Sequence, residues 1–101
     1  MQGDQPERHT EVIARRSIKI VNRKGLHARA SAKLQKIACG FSSRLIVHHE
    51  GEAANARSIM DLLMLGAGKG AEIELEAVGE DAEACVTAAS SLIANGFDED
   101  D

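Results

Sequence analysis

Residues 72–77 alternate strictly between glutamate and an apolar residue. In an extended strand, Ile73, Leu75 and Ala77 would lie on one face and the three glutamates on the other. Such a strand needs cover on its apolar face only, as in antiparallel sheets that leave one side in water. This segment therefore predicts a sheet with one solvated face.

The remaining apolar residues add three strands and three helices. Alternation near Ile18 and Ile20 and at residues 44–48 predicts strands, and a turn at residues 50–52 leads into a short return strand. Apolar residues at three- and four-residue steps predict helices. These helices run from Ala28 to Gly40, from Ser58 to Gly66 and from Ala82 to Gly96. The order βαββαβα predicts an α+β fold, a two-layer sandwich.

Two helix ends have recognisable signals. Ser58 and Asp61 form a capping-box pattern, with Asp61 in place of the usual Glu or Gln. Gly40 follows the last periodic residue of the first helix, so we expect it to adopt a left-handed conformation as a C-terminal cap.

A length of 101 residues is the size of one domain. Residues 1–16 are polar and predict a flexible extension, residues 17–97 the domain, and residues 98–101 a solvated acidic tail. No apolar run reaches the length of a signal peptide core or the roughly 20 residues of a membrane span. We therefore expect a cytoplasmic protein, with Cys39 and Cys85 buried and reduced and a disulfide as the less favoured alternative.

Charge and composition disfavour several functions. The net charge of −4 removes the attraction that supplies most non-specific affinity for nucleic acids. His48 and His49 are adjacent on a strand and would point to opposite faces, so they are poorly placed to share a metal ion. We find no pair of nucleophile and base and no glycine-rich nucleotide motif, and we expect neither a cofactor nor a metal.

His27 lies at the junction between a polar loop and the first helix. The first backbone amides of a helix lack internal acceptors, so Ala28, Arg29 and Ala30 are candidates to bind an anion such as a phosphoryl group. Arg29 could add paired hydrogen bonds to phosphate oxygens. The positive end of the helix disfavours an imidazolium, which would leave His27 neutral and nucleophilic.

The spacing alone leaves a plainer interpretation open. His-x-Arg is short and common, and His27 would then be an N-terminal cap and Arg29 a solvated helix charge.

Several separate blocks give the chain a specific resemblance. They are Gly25-Leu26-His27-Ala28-Arg29, Cys39-Gly40-Phe41, Ala56-Arg57-Ser58-Ile59-Met60-Asp61-Leu62-Leu63, Leu65-Gly66 and Gly79-Glu80-Asp81. In this order and spacing, residues 17–97 resemble HPr, the histidine-containing phosphocarrier family of the bacterial phosphoenolpyruvate-dependent phosphotransferase system.

The resemblance implies a fold and a function. The fold would be an open-faced β-sandwich, in which three helices cover one side of a four-stranded antiparallel sheet. His27 would accept a phosphoryl group on Nδ1 from enzyme I and donate it to an EIIA-type domain, and Arg29 would steady the phosphate. The protein would be a phosphoryl-transfer relay rather than a stand-alone enzyme, and a monomer like most of the family.

One residue departs from the family pattern. The family usually has proline directly after the arginine, where this chain has Ala30. Alanine restores an amide donor and some backbone freedom at little cost to the helix. We expect phosphorylation to survive this change.

The second helix carries two further candidate functions. Ser58 aligns with the serine that HPr kinase phosphorylates in many members, and it is also a candidate N-cap. This helix is too short to bury all of its apolar side chains, so we expect an exposed patch that docks partner proteins, formed by Ile59, Met60, Leu63 and Met64. Lys33 and Lys36, on the first helix, are further candidates to dock partners. Their alternatives are ordinary core positions and a solvated charged face, and we expect Leu62 and Leu65 to be core.

Two functional hypotheses follow. The first is the phosphoryl relay, serving either sugar uptake or the nitrogen-related regulatory branch, with a slight preference for the latter. The second is a regulatory binding module controlled by phosphorylation of Ser58.

Overall fold

The alternating glutamate segment forms an inner strand of a four-stranded antiparallel sheet in the computed structural model, which describes residues 12–99. The strands are β1 (Ile13–Lys19), β2 (Arg44–His49), β3 (Glu52–Asn55) and β4 (Glu72–Val78). They pair in the order β1-β4-β2-β3. Ile73, Leu75 and Ala77 are at most 2% exposed, which confirms the predicted buried face of β4.

Helices cover this buried face. They are α1 (Ala28–Cys39), α2 (Ile59–Met64) and α3 (Ala82–Ala94), followed by a short 3₁₀ turn (Gly96–Asp98). Helix α3 packs on β1, β4 and β2, whereas α1 packs against α2 and α3. The core between the layers includes Leu34, Leu62, Ile93 and Phe97, all fully buried. The α+β open-faced sandwich with the order βαββαβα is confirmed.

The other face of the sheet is polar. Glu76 on β4 accepts hydrogen bonds from Arg15 on β1, at 3.1 Å, and pairs with Nε2 of His48 on β2, at 2.8 Å. The hydrogen bond with His48, more than the contact with Arg15, lowers the pKa of Glu76. Within residues 12–99 no group of three or more His, Cys, Asp and Glu side chains is placed to hold a metal ion.

The first strand begins earlier than the boundary at residue 17. Ile13 pairs with Val78 and Ala14 with Ala77, and Ala14 is only 4% exposed. The pattern missed this because the core-facing position Arg16 carries a charged side chain, which bonds the hydroxyl of Ser90 at 2.9 Å. The predicted extension over residues 13–16 is therefore wrong, and its part at residues 1–11 lies outside the described residues.

The end of the first helix differs from expectation in two ways. Gly40 has φ −83° and ψ −2°, so it is right-handed, and its amide bonds the carbonyl of Ile37. Cys39 is exposed because it lies off the buried stripe of α1. Cys85 is buried as predicted, and burial raises the pKa of its thiol. Both thiols are free.

The C-terminal segment is not a solvated tail from residue 98 onward. Phe97 is fully buried, Asp98 ends the 3₁₀ turn, and the side chain of Glu99 is only 13% exposed. Residues 100 and 101 lie outside the described residues. In the part that is described, no helix has the length and apolar character needed to span a bilayer.

Asp81 ties the start of α3 to the loop before β2. Its carboxylate accepts hydrogen bonds from the amides of Ser42 and Ser43, both at 2.9 Å, and from the hydroxyl of Ser43. The hydroxyl of Ser43 and then the amide of Ser42 lower the pKa of Asp81 to about 2.

We predict that Asp81→Asn lowers stability at about pH 5 and that its deficit shrinks toward about pH 2. The folded pKa lies below the usual 3.8, so the ionised carboxylate stabilises the fold above that value and loses its effect as pH falls through about 2. Urea midpoints across this range measure the effect, with Glu80→Gln as the charge-matched control. A deficit that does not change with pH would contradict the prediction.

Candidate functional site

The loop before His27 is held by backbone and amide hydrogen bonds. The amide of Gly25 bonds the carbonyl of Asn22 at 3.2 Å, and the side-chain amide of Asn22 bonds the carbonyl of Gly25 at 2.9 Å. The amide of Leu26 bonds the carbonyl of Ala67 at 2.9 Å, in the turn that follows α2. The residue before His27 is thereby fixed to a second element of the fold.

Gly25 allows the two segments to approach each other. Its φ is +63°, and a Cβ atom there would lie 2.5 Å from the carbonyl oxygen of Ala67 and 2.7 Å from Cα of Gly68. Both contacts are with backbone, which cannot rotate away as a side chain does. Only glycine fits here without displacing the loop.

His27 occupies the N-cap position of α1, but its side chain does not cap the helix. Its backbone is extended, and its carbonyl accepts the amide of Ser31 at 2.8 Å. The side chain is 27% exposed. The alternative in which His27 serves as a side-chain cap is therefore not supported, and the imidazole is available at the surface.

The helix end next to His27 presents unused donors. Within residues 12–99 the amides of Ala28, Arg29 and Ala30 donate to no acceptor, as expected for a first helical turn. Ala28 and Arg29 are exposed, whereas Ala30 is fully buried. Anion binding by these three amides stays a prediction, and the burial of Ala30 leaves its amide less accessible than the other two.

A cleft of about 870 Å³ lies beside the imidazole. It brings His27 and Arg29 together, as predicted, and adds side chains from the preceding loop, from α1 and from the C-terminal segment. Its lining comprises Arg23, Lys24, His27, Ala28, Arg29, Lys33, Asp98 and Glu99. Four of these side chains are basic and two are acidic, so the cleft favours an anion.

The sequence did not indicate that Arg23, Lys24 and Asp98 line the cleft. Nor did it indicate Glu99, which contacts the imidazole directly. Its Oε2 lies 2.5 Å from Nε2 of His27, although the two residues are 72 positions apart. Its Oε1 accepts a hydrogen bond of 3.1 Å from the side-chain amide of Asn22. The polar loop at residues 22–25 precedes His27 directly, so a place for Asn22 near the site could be expected from the sequence. The acidic C-terminal segment carries no pattern that indicates a contact between Glu99 and His27.

Lys33 has a structural role as well as a place in the cleft. Its Nζ donates to the carbonyl of Phe97 at 2.6 Å, which fastens the C-terminal segment to α1. The predicted docking role of Lys33 thus competes with an internal contact, while Lys36 is exposed.

Helix α2 exposes part of its apolar surface. Met60 is 66% and Met64 78% exposed, Ile59 and Leu63 are half-buried, and Leu62 and Leu65 are core as predicted. The hydroxyl of Ser58 accepts the amide of Asp61 at 3.1 Å, which confirms the N-cap role of Ser58.

Comparison with known families decides what kind of protein this is. The family described as the PTS HPr component phosphorylation site matches residues 14–95. The chain belongs to the HPr family. It is a phosphocarrier of the phosphotransferase system, and the match begins within β1, ahead of the boundary expected from the sequence.

Relatives and solved structures agree with this assignment. The chain is 42% identical over 87 residues to the phosphocarrier protein HPr of Cupriavidus necator, covering 86% of this chain and 98% of that protein. It is 39% identical over 90 residues to the phosphocarrier protein NPr of Escherichia coli K12, covering 88% and 100%. The crystal structure of HPr-C-His from Thermoanaerobacter tengcongensis superposes with a TM-score of 0.83 at 37% identity, covering 86% of this chain and 98% of that one.

We predict that Gly25→Ala displaces the loop that carries His27. The Cβ contacts with Ala67 and Gly68, together with the positive φ, should lower the free energy of unfolding by about 1–3 kcal/mol. Urea unfolding and the amide NMR shifts of residues 25–28 measure both effects.

Gly68→Ala is the matched control, since a Cβ atom there meets nothing within 4 Å. Equal behaviour of the two variants would show that the close approach at Gly25 does not position the loop.

Proposed function

We propose that His27 is the residue that carries the phosphoryl group, received from enzyme I and passed to an EIIA-type domain. The observation that supports this most is the partly exposed imidazole at the N-terminus of α1, beside a cleft with four basic side chains. Such a helix end and such a cleft stabilise an anion next to the ring.

The chemistry follows from the charges around the imidazole. A phosphoryl group carries about −1.5 to −2 charges near neutral pH. In this proposal the backbone amides of Ala28 and Arg29 and the guanidinium of Arg29 bind its oxygens, and Arg23 and Lys24, which line the same cleft, enlarge the positive field. Arg29 thus has the role of steadying the phosphoryl group.

The relay requires two transfers and no net hydrolysis. In the first, a ring nitrogen of His27 forms a bond to phosphorus while the bond from phosphorus to the histidine of enzyme I breaks, and the electron pair returns to the donor. In the second, the acceptor of the EIIA-type domain attacks and His27 recovers its electron pair. The chain is restored after each cycle, so its substrates are its partner proteins.

Ala30 is compatible with this function. Its amide donates to no acceptor within residues 12–99, so the proline usual in the family would lose no hydrogen bond at this position. Alanine differs from proline here in its freer φ and its retained amide, but neither residue costs the first turn of α1 a hydrogen bond. We therefore expect Ala30 to leave phosphorylation intact.

We further propose that the exposed surface of α2 docks both partners. Met60 and Met64 form an apolar surface, and methionine adapts to differently shaped partners. Helix α2 packs beside α1, and the turn after α2 contacts the loop that carries His27. A partner on this surface would have its own reactive histidine near the cleft.

The regulatory alternative has less support. The hydroxyl of Ser58 already caps α2, and this role accounts for serine at this position. A phosphate there would add negative charge beside the proposed docking surface, so it would act on the relay rather than replace it.

We predict that His27→Ala abolishes phosphorylation by phosphoenolpyruvate and enzyme I, because the acceptor nitrogen is removed. Intact mass and acid lability of the bound phosphate measure this, and EIIA-type domains of the sugar and nitrogen-related kinds are then offered to the phosphorylated wild type. His48→Ala, which removes a histidine on the open face of the sheet, should leave the stoichiometry unchanged. Phosphorylated His27→Ala would overturn the assignment.

We predict that Met60→Glu raises the Kd for enzyme I and for the EIIA-type domain about tenfold, since it places a charge in an apolar interface. Titration calorimetry measures both affinities. Ile13→Glu is the control, because Ile13 is equally apolar and 55% exposed but lies at the edge of the sheet. Unchanged affinities of Met60→Glu would remove α2 from the docking surface.

A further inference from the structure

The carboxylate of Glu99 bridges the imidazole of His27 and the amide of Asn22. Its two oxygens are used separately, Oε2 by Nε2 of His27 and Oε1 by Nδ2 of Asn22. Asn22 is only 4% exposed and is itself bonded to the carbonyl of Gly25. The carboxylate of Glu99 is therefore held by the loop that precedes His27 as well as by the imidazole.

The segment that carries Glu99 is fixed by the core. Phe97 is fully buried with a φ of 57°, and its carbonyl accepts Nζ of Lys33. The amide of Glu99 bonds the carbonyl of Gly96 at 3.1 Å. The approach of Glu99 to His27 follows from this anchored turn, so the carboxylate is positioned before a partner binds.

This contact determines which nitrogen is free. A neutral imidazole carries one proton, and a carboxylate accepts a hydrogen bond but does not donate one. With Nε2 facing the carboxylate, the proton is on Nε2 and the lone pair is on Nδ1. Among the hydrogen bonds of residues 12–99, none engages Nδ1 of His27.

We infer that Glu99 is a positioning residue for phosphoryl transfer, which holds the Nε2–H tautomer of His27 and so presents Nδ1 to phosphorus. The inference deepens the proposed function of His27 and rests on it. Glu99 has this role through its contact with the imidazole.

The role of Glu99 applies to both directions of transfer. When Nδ1 bonds to phosphorus, the ring gains positive charge, and the carboxylate at Nε2 stabilises it. When the group leaves, Nδ1 recovers its electron pair while Nε2 retains its proton. The leaving group is then a neutral imidazole, which departs more readily than an imidazolate, and no proton has to move in either step.

Other charges also face the ring, so the test must separate Glu99 from the general field of the cleft. The charged neighbours are Arg23, Lys24, Arg29, Lys33 and Asp98. Asp98→Asn removes the same charge one residue away without removing a contact to the ring, and asparagine tolerates its φ of 58°.

The first readout is the ring itself, in the unphosphorylated full chain. NMR of ¹⁵N-labelled protein, at a pH where the imidazole is neutral, should show a downfield Nε2-bound proton protected from exchange and an unprotonated Nδ1. Glu99→Ala should lose the protected proton. Glu99→Gln should retain part of it through its side-chain carbonyl, and Asp98→Asn should retain it fully.

The second readout is the rate of transfer from phosphorylated enzyme I. Glu99→Ala should be slower by roughly tenfold or more, which is the scale of a charged hydrogen bond. Glu99→Gln should lie between it and the wild type. Asp98→Asn removes a negative charge from the cleft without removing the contact to the ring, so it should not slow transfer. The amide spectrum away from the site checks that each variant is folded.

The outcomes are distinct. Loss of the Nε2 proton together with slower transfer supports the inference. An unchanged rate overturns it, and a faster rate overturns it in favour of a carboxylate that obstructs the site. Phosphorylation of the wild type at a residue other than His27 would contradict the proposed function. The ring spectrum is recorded without enzyme I, so it would still report the tautomer of His27 in that case.

Discussion

The position of His27 depends on one backbone contact between two loops. The amide of Leu26 bonds the carbonyl of Ala67, and Gly25 permits this approach because it has no Cβ atom. Helix α1 starts immediately after this contact, so the imidazole and the unused amides of the first turn lie at one place. A rigid backbone contact is a suitable support for a group that, in the proposed function, meets two different partners in the same geometry.

The charge of the cleft beside His27 is opposite in sign to the net charge of the chain. The protein has a net charge of −4, yet the cleft beside His27 has four basic and two acidic side chains. The local excess of positive charge suits a phosphoryl group, whereas the carboxylate of Glu99 is directed at the far nitrogen of the ring. Basic side chains that attract an anion and a carboxylate at Nε2 that would stabilise a cationic ring thus lie at one site, as the proposed phosphorylation of His27 requires.

Much of the fold could be predicted from sequence because its signals are local. The alternation in β4 and the cap at Ser58 each arise within a few residues, and both are confirmed. The start of β1 could not be predicted, because its pairing with a distant strand outweighs the charge of Arg16. The contact between Glu99 and His27 joins positions 72 residues apart, and no local pattern encodes it.

The most direct test of this account is the site of phosphorylation, read atom by atom. NMR of the ¹⁵N-labelled chain after phosphorylation by enzyme I identifies the ring nitrogen that is coupled to ³¹P. We expect coupling to Nδ1 of His27, with a proton on Nε2. Coupling to Nε2 of His27, or to a nitrogen of another histidine, would contradict it.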